Sequence, residues 1–269
     1  MKKLLALLLA LVMVFALAAC GQQPATPTAE PTGTPAVDEV PNPEPDWTAY
    51  NALIAQIKTT TDFAERVNLM HEAEDILMAS GAILPIYYYN DLFMMKPDVE
   101  GFYANAFGFK FFQYCTNGDS NTLKINLASE PDYLDPALNS SVDGACLAIM
   151  GFGGLYTYDA DGQLIPNFAE GYEMSEDGLT YTFTLKEGLK WSDGSDLTAN
   201  DFVYSWKRGA DPVTAADYSY MFNGIAGYED HDLQVSAPDD LTLVVNLIAP
   251  CAYFLDLAAF PTFYPVKQT

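Results

Sequence analysis

The side chains best able to do chemistry in this sequence are carboxylates, tyrosines and a few thiols, and their spacing argues against catalysis. Asp159 and Asp161 are spaced as in a calcium loop with Gly162 at the tight turn, but that loop would need a bidentate glutamate where Phe168 stands. Cys115, Cys146 and Cys251 contain no C-x-x-C pair, and His71 and His231 stand far apart, so no metal site is expected. Three thiols cannot all pair within one chain; free, buried thiols are the default, with one disulfide left open if the compartment is oxidising. There is no G-x-S-x-G elbow, P-loop, G-x-G-x-x-G or H-E-x-x-H, and no nucleophile with an evident base. Neither an enzyme nor a cofactor is therefore expected.

Charge narrows the partners. With 36 acidic and 12 basic residues the net charge is −24. Nucleic acid and anionic headgroups need Lys and Arg to neutralise phosphates, so nucleic acid is excluded as a partner. Residues 1–20 combine a basic start (Lys2, Lys3), an apolar run (Leu4 to Leu17) and Leu17-Ala18-Ala19-Cys20, which resembles a bacterial lipobox. That resemblance implies cleavage before Cys20 and lipidation of its thiol, so the membrane is a partner through lipidated Cys20. Residues 21–46 are rich in Pro, Thr, Ala and Glu, with too little apolar surface to offset ordering entropy, and read as a disordered tether.

The elements that would position any site come next. Tyr181, Phe183 and Leu185 alternate with Thr180, Thr182 and Thr184, the period of a half-buried strand, and Asp161-Gly162 and Asp177-Gly178 offer hairpin turns. Thr198 and Asp201 open a helix with Phe202, Val203 and Trp206 on its apolar face, and Gly209 is its expected end. Leu241, Leu243, Val245 and Leu247 repeat the strand pattern. Upstream, residues 47–80 carry two helical patterns, the second opening at Asp62 with Glu65 and stopping at Gly81. Ala82 to Asn90, AILPIYYYN, reads as an apolar strand in which Tyr87 and Tyr89 share one face. Phe109 to Cys115 and Thr122 to Ala128 read as strands joined by an Asn117-Gly118 turn, hence as an antiparallel pair.

From Leu155 to Arg208 the run LYTYDADGQLIPNFAEGYEMSEDGLTYTFTLKEGLKWSDGSDLTANDFVYSWKR resembles the N-terminal signature of the family 5 extracellular solute-binding proteins of peptide ABC transporters. LKINLASEPDYLDPALNSSVDGAC before it is similar to the family's first strand and "LDP" loop. The run from Glu65, ERVNLMHEAEDILMASGAILPIYYYNDLFMMKPDVEGFYANAFGFKFFQY, resembles the family's C-terminal segment, yet it comes first here. That order is the order of a circular permutation, with the old termini joined near Asn117-Gly118. The domains expected are 1–20, signal peptide; 21–46, tether; 47–118, the segment like the family C-terminus; and 119–269, the segment like its N-terminus.

The resemblance implies an α/β, class II periplasmic-binding-protein-like partial fold, a mixed sheet with hairpins and helices and the second lobe largely missing. It implies peptides or oligopeptides as ligands, permease subunits of an ABC transporter as partners, and an extracellular or periplasmic location on the membrane. Matched residue by residue, Ser140, Ser141 and Val142 fall where family members present extended backbone to the ligand; the plain alternative is a polar loop. Tyr87, Tyr88 and Tyr89 match the family's tyrosine strand, with core packing accounting for two of them. Tyr218 or Tyr220 could line the same cleft, or simply pack. The family's Trp and Asp that hold the peptide amino terminus have no match here. A rival reading keeps one lobe as a non-transport surface interaction module. On either reading, the apolar faces of helices 47–80 lack their family partner and are expected to be exposed.

Overall fold

Strand alternation and turn chemistry together build the central sheet. The computed structural model describes residues 45–268; the signal segment, its Cys20 and nearly all of the tether lie outside them. Strands β7 (Ala169–Met174), β8 (Thr180–Leu185), β9 (Val235–Ser236) and β10 (Thr242–Asn246) form one antiparallel sheet in the order β7-β8-β10-β9. On β8 the predicted face is the buried one, with Phe183 and Leu185 at 0% and 1% exposure. The β7–β8 turn closes through the Ser175 N–H donating to Thr180 O at 3.0 Å, with Gly178 at φ +69°. Strands β5 (Tyr156–Tyr158) and β6 (Leu164–Pro166) pair around Asp161-Gly162, so both Asp-Gly turns are hairpins. Every strand pair among the described residues is antiparallel.

Helix α4 (Ala199–Ala210) packs its Phe202 and Trp206 onto this sheet, both fully buried. Its start is fixed by the Asp201 carboxylate, which accepts the Thr198 N–H at 2.7 Å. Gly209 does not end it. The helix runs on to Ala210, and Gly209 instead gives Phe222 room: a Cβ there would sit 2.9 Å from the ring. Trp206 is edge-on to Phe263 at 5.1 Å, and its indole N–H donates to Phe263 O at 2.8 Å. Helix α5 (Phe254–Ala258) adds Phe254, 4.9 Å from Tyr181.

The earlier segment begins with α1 (Thr48–Thr59) and α2 (Phe63–Ala79), which pack against each other. The Asp62 carboxylate accepts the Glu65 N–H at 2.8 Å, as predicted, and Gly81 follows the helix at φ +71°. Ile57 and Ala73 are buried, whereas Phe63, Met70 and Met78 are exposed, so the apolar faces are covered only in part.

Strands β1 (Val99–Glu100) and β4 (Thr116–Asn117) pair, as do β2 (Tyr103–Ala104) and β3 (Lys110–Phe111). Two expected strands are not there. Ala82 to Asn90 pairs with nothing among the described residues, and neither does Thr122 to Ala128, so the hairpin across Asn117-Gly118 is not formed. Alternation supplies a face but not a ladder partner, and without one the backbone stays with solvent. The two segments nevertheless share one core. Phe109 and Phe111 are 5% and 1% exposed within it, Phe109 lies 5.4 Å from Phe260, and the Tyr103 hydroxyl donates to Tyr158 O at 3.0 Å.

Candidate functional site

Helix α3 (Val142–Gly151), which sequence reasoning missed, decides how residues 140–142 are presented. Its signal was present: Ser141 as a cap, Asp143 in the first turn, then the apolar ACLAIM. Ser141 is extended at φ −105°, ψ 149°, and its hydroxyl accepts the Gly144 N–H at 3.1 Å. Val142 is therefore already helical, which corrects the expectation of extended backbone through all three residues. The capped turn bends the chain at Ser141.

The turn is held from two sides. Asn139, 5% exposed, donates from Nδ2 to Ser141 O at 2.9 Å, while its Oδ1 accepts the Ser141 N–H at 3.3 Å. From outside, the Tyr218 hydroxyl donates to Ser140 O at 3.3 Å. Tyr218 also stands edge-on to Phe260 at 5.7 Å and to Tyr220 at 6.0 Å. The alternative of plain packing thus describes only part of Tyr218, and Tyr220 is half exposed. Among the described residues, neither the Ser140 N–H nor the Val142 N–H has an acceptor. Ser140 itself is exposed, as is Val142.

The remaining predicted tyrosines stand apart from this cluster. Tyr87, Tyr88 and Tyr89 are 74%, 96% and 78% exposed, so none of them packs in a core. Tyr87 and Tyr89 do fall side by side, with ring centroids 6.4 Å apart, as strand alternation requires. No hydrogen bond or ring contact among the described residues joins them to Ser140 or Tyr218.

Charges brace the turn without entering it. The Asp143 carboxylate accepts the Ser129 hydroxyl at 2.6 Å and the Ser129 N–H at 2.8 Å, and the hydroxyl is the main reason its pKa falls below 3.8. Burial works against the Lys110 ammonium, but the Asp91 carboxylate 2.8 Å away outweighs it and the pKa rises. The Lys110 N–H donates to the Cys146 sulfur at 3.3 Å, and burial pushes that thiol up. Cys115, Cys146 and Cys251 are all free. Asp159, far from a calcium ligand set, accepts the N–H groups of Asp161 and Gln163 at 3.0 and 2.8 Å. Among the described residues no cluster of three or more His, Cys, Asp or Glu could hold a metal.

Two cavities stand apart from this turn. One of about 390 Å³ is lined by Lys207, Arg208, Tyr228 and His231, and another of about 330 Å³ by Phe152, Phe168 and Trp191. Neither of these two includes residues 140–142 or Tyr218. An exposed backbone turn beside an aromatic ring has the character of a binding surface.

The comparisons with known proteins agree with that class. Residues 163–269 match the bacterial extracellular solute-binding proteins, family 5 Middle. This stretch of the chain is similar to that family, one of binding proteins and not of enzymes. The oligopeptide-binding protein OppA of Bacillus subtilis (strain 168) is 41% identical over 156 residues, 55% of this chain and 28% of that protein. The dipeptide-binding protein of Lactococcus lactis subsp. cremoris (strain MG1363) is 42% identical over 123 residues, 43% of this chain and 22% of that protein. A structure of Haemophilus influenzae OppA in complex with RPPGFSPFR matches with a TM-score of 0.51 at 35% identity, covering 52% of this chain and 29% of that one. The chain thus spans less than a third of the length of these relatives. The α/β fold is that of periplasmic-binding-protein relatives over about half of the chain. No described helix is long and apolar enough to cross a membrane.

Proposed function

We propose that this chain supplies one wall of a peptide-binding cleft in a solute-binding component of an ABC importer, held at the outer face of the membrane through a lipidated Cys20. Residues 47–118 take the place of the family's C-terminal segment, ahead of its N-terminal one, and share its core through Phe109 and Phe111. The names of the relatives, oligopeptide-binding and dipeptide-binding, support a peptide as ligand.

The observation that carries the reading is the pair of N–H groups at Ser140 and Val142. They are two residues apart with the Ser141 N–H turned inward to Asn139. A peptide can bring its carbonyls to such donors, and a backbone-to-backbone contact tolerates any side chain. Tyr218 holds the carbonyl of Ser140 and offers its ring beside it.

Titration calorimetry with a pool of random tripeptides to nonapeptides tests the reading: saturable heat supports a peptide binder. Val142→Pro sharpens the test. Proline suits the first position of a helix, and Ser141 already has the extended backbone that a residue before proline adopts. The variant therefore deletes one unpaired N–H with the helix intact, and affinity should fall relative to Val142→Ala. A chain that gives no heat with any pool is a surface interaction module instead.

A further inference from the structure

We propose that the cavity between the last turns of α4 and the loop at residues 227–232 is a second ligand site, for a small organic monocarboxylate with a ring-shaped body. Tyr204, Lys207 and Arg208 are three and four residues apart, so one face of α4 carries all three. They line a space of about 390 Å³ together with Tyr228, His231 and Leu233. The opposite wall is a loop closed on itself: the Asp232 N–H donates to Gly227 O at 2.9 Å and the His231 N–H to Tyr228 O at 3.1 Å. Only glycine fits at 227, where φ is +80° and a Cβ would overlap Asp232 O. Closing the loop in this way brings Tyr228 and His231 to the cavity and leaves His231 at φ +57°, a left-handed backbone that a non-glycine residue adopts at some cost.

The chemistry of the lining selects the guest. In a chain of net charge −24, two of the 12 basic side chains and one of the two histidines meet at this one cavity. Lys207 faces Asp232 at 3.6 Å, too far for a hydrogen bond, so its ammonium keeps all its donors. Arg208 spends Nη1 and Nη2 on Asp135, which does not line the cavity, and retains further N–H groups. The Tyr204 hydroxyl and the His231 imidazole make no side-chain hydrogen bond among the described residues, and the Tyr228 hydroxyl reaches Ser219 Oγ only at 3.5 Å. A carboxylate can take charge-assisted bonds from such donors. Asp211 also lines the cavity; one of its oxygens accepts the Val213 N–H at 2.8 Å, and its charge repels a second anionic group on the guest. That favours a monoanion over a polyanion. The rings of Tyr204 and Tyr228 and the buried Leu233 give an organic body an apolar seat that inorganic phosphate could not use.

The experiment titrates the full chain with benzoate, and in parallel with benzamide, which keeps the ring without the charge, and with inorganic phosphate, which keeps charge without the ring. Calorimetry should show one saturable benzoate site per chain, with benzamide and phosphate each weaker by about tenfold or more, the scale of one charge-assisted hydrogen bond. Lys207→Gln should weaken benzoate by a similar factor with the thermal midpoint nearly unmoved, because its ion pair is loose and exposed, and Lys207→Arg should retain binding. His231→Gly should weaken benzoate while the midpoint holds or rises, since glycine takes positive φ freely. No saturable benzoate binding, equal affinity for benzamide, or full affinity in Lys207→Gln would overturn the site. So would a lowered midpoint with unchanged affinity in His231→Gly, which would make His231 a residue of the loop alone. The site is independent of the peptide-binding reading above: the peptide pool should not displace benzoate, and displacement would put benzoate on the peptide wall and overturn the proposal.

Discussion

Arg208 and Asp135 join the last turn of α4 to the turn that precedes α3 by two parallel bonds, Nη1 and Nη2 of the guanidinium donating to the two carboxylate oxygens at 3.1 and 2.5 Å. The same carboxylate accepts the Ala137 N–H at 3.0 Å, so a single ion pair orients the peptide units that lead to Asn139 and Ser140. Both side chains are only about a quarter exposed, at 25% and 29%. The carboxylate raises the Arg208 pKa, chiefly through its hydrogen bonds.

Removing either partner should lower stability. Asp135→Ala or Arg208→Ala leaves a half-buried charge and is expected to cost on the order of 1–3 kcal/mol, read as a shift of the urea midpoint at constant slope. Arg208→Lys should not restore the midpoint, because one ammonium cannot span both oxygens. Full recovery by lysine would show that only charge matters at this site.

Trp206 separates packing from hydrogen bonding. Trp206→Ala empties a fully buried site among Phe202, Phe222, Phe254 and Phe263 and is expected to cost ~3–5 kcal/mol. Trp206→Phe keeps most of the ring but deprives Phe263 O of its donor, at about 1–3 kcal/mol. Chemical denaturation of both variants checks the order. Equal losses would mean that the hydrogen bond dominates the site.

Alkaline pH should unfold the chain through its tyrosines. Burial is the main cause that pushes Tyr103 up from 10.0 to about 12, and it also raises Tyr158 and Tyr264. A phenol whose folded pKa is raised contributes stability that is present below 10.0 and is lost as pH climbs through the folded value. Stability should therefore decline from about pH 10 upward, and Tyr103→Phe should remove the ionisation step near about pH 12 from the ultraviolet titration. On the acid side the sign reverses. The lowered Asp143 contributes stability that is present above 3.8 and is lost as pH falls through its folded value, and Ser129→Ala should reduce that loss.

What could be read from the sequence follows the range of the forces involved. The β7–β8 hairpin was legible because Asp177-Gly178 and the Thr/aromatic alternation lie within a dozen residues of each other. The Asp62 cap was legible for the same reason, and so was a helix start at Thr198, where Asp201, expected only as first-turn charge, accepts the Thr198 N–H. Long-range pairings were not: nothing in the local pattern shows that Tyr158 donates to Asp256 at 2.8 Å, or that Val245 sits opposite Tyr181. In the candidate site, the resemblance put Ser140, Ser141 and Val142 together and left Tyr218 between two readings. It did not show that Ser141 caps a helix, for which the local signal was present but missed, or that Asn139 bonds the Ser141 backbone. The two lost strands failed in the opposite direction. Their alternation is real, but a strand is a property of two segments, and the residues from Ala82 and from Thr122 have no partner among those described.

That absence carries the last prediction. Residues 83–95 contain Leu84, Ile86, Tyr88 and Met94 at 83%, 85%, 96% and 100% exposure, and no backbone–backbone hydrogen bond among the described residues involves them. From Ala82 to Asn90 there is no charged side chain, although the chain as a whole carries −24. The repulsion that keeps an acidic protein dispersed is therefore weakest where unpaired backbone and apolar side chains coincide. Amides from Ile83 to Met95 should exchange fast and the chain should self-associate as concentration rises in sedimentation velocity. Ile86→Lys should suppress that association without moving the thermal midpoint, because Ile86 supports no packing. Helices α1 and α2 should be protected unevenly, most at Ile57 and Ala73 and least around Phe63 and Met78, following their burial. A monodisperse chain with protected amides across 83–95 would mean that this segment finds a partner within the chain itself, and the unpaired strand would have to be abandoned.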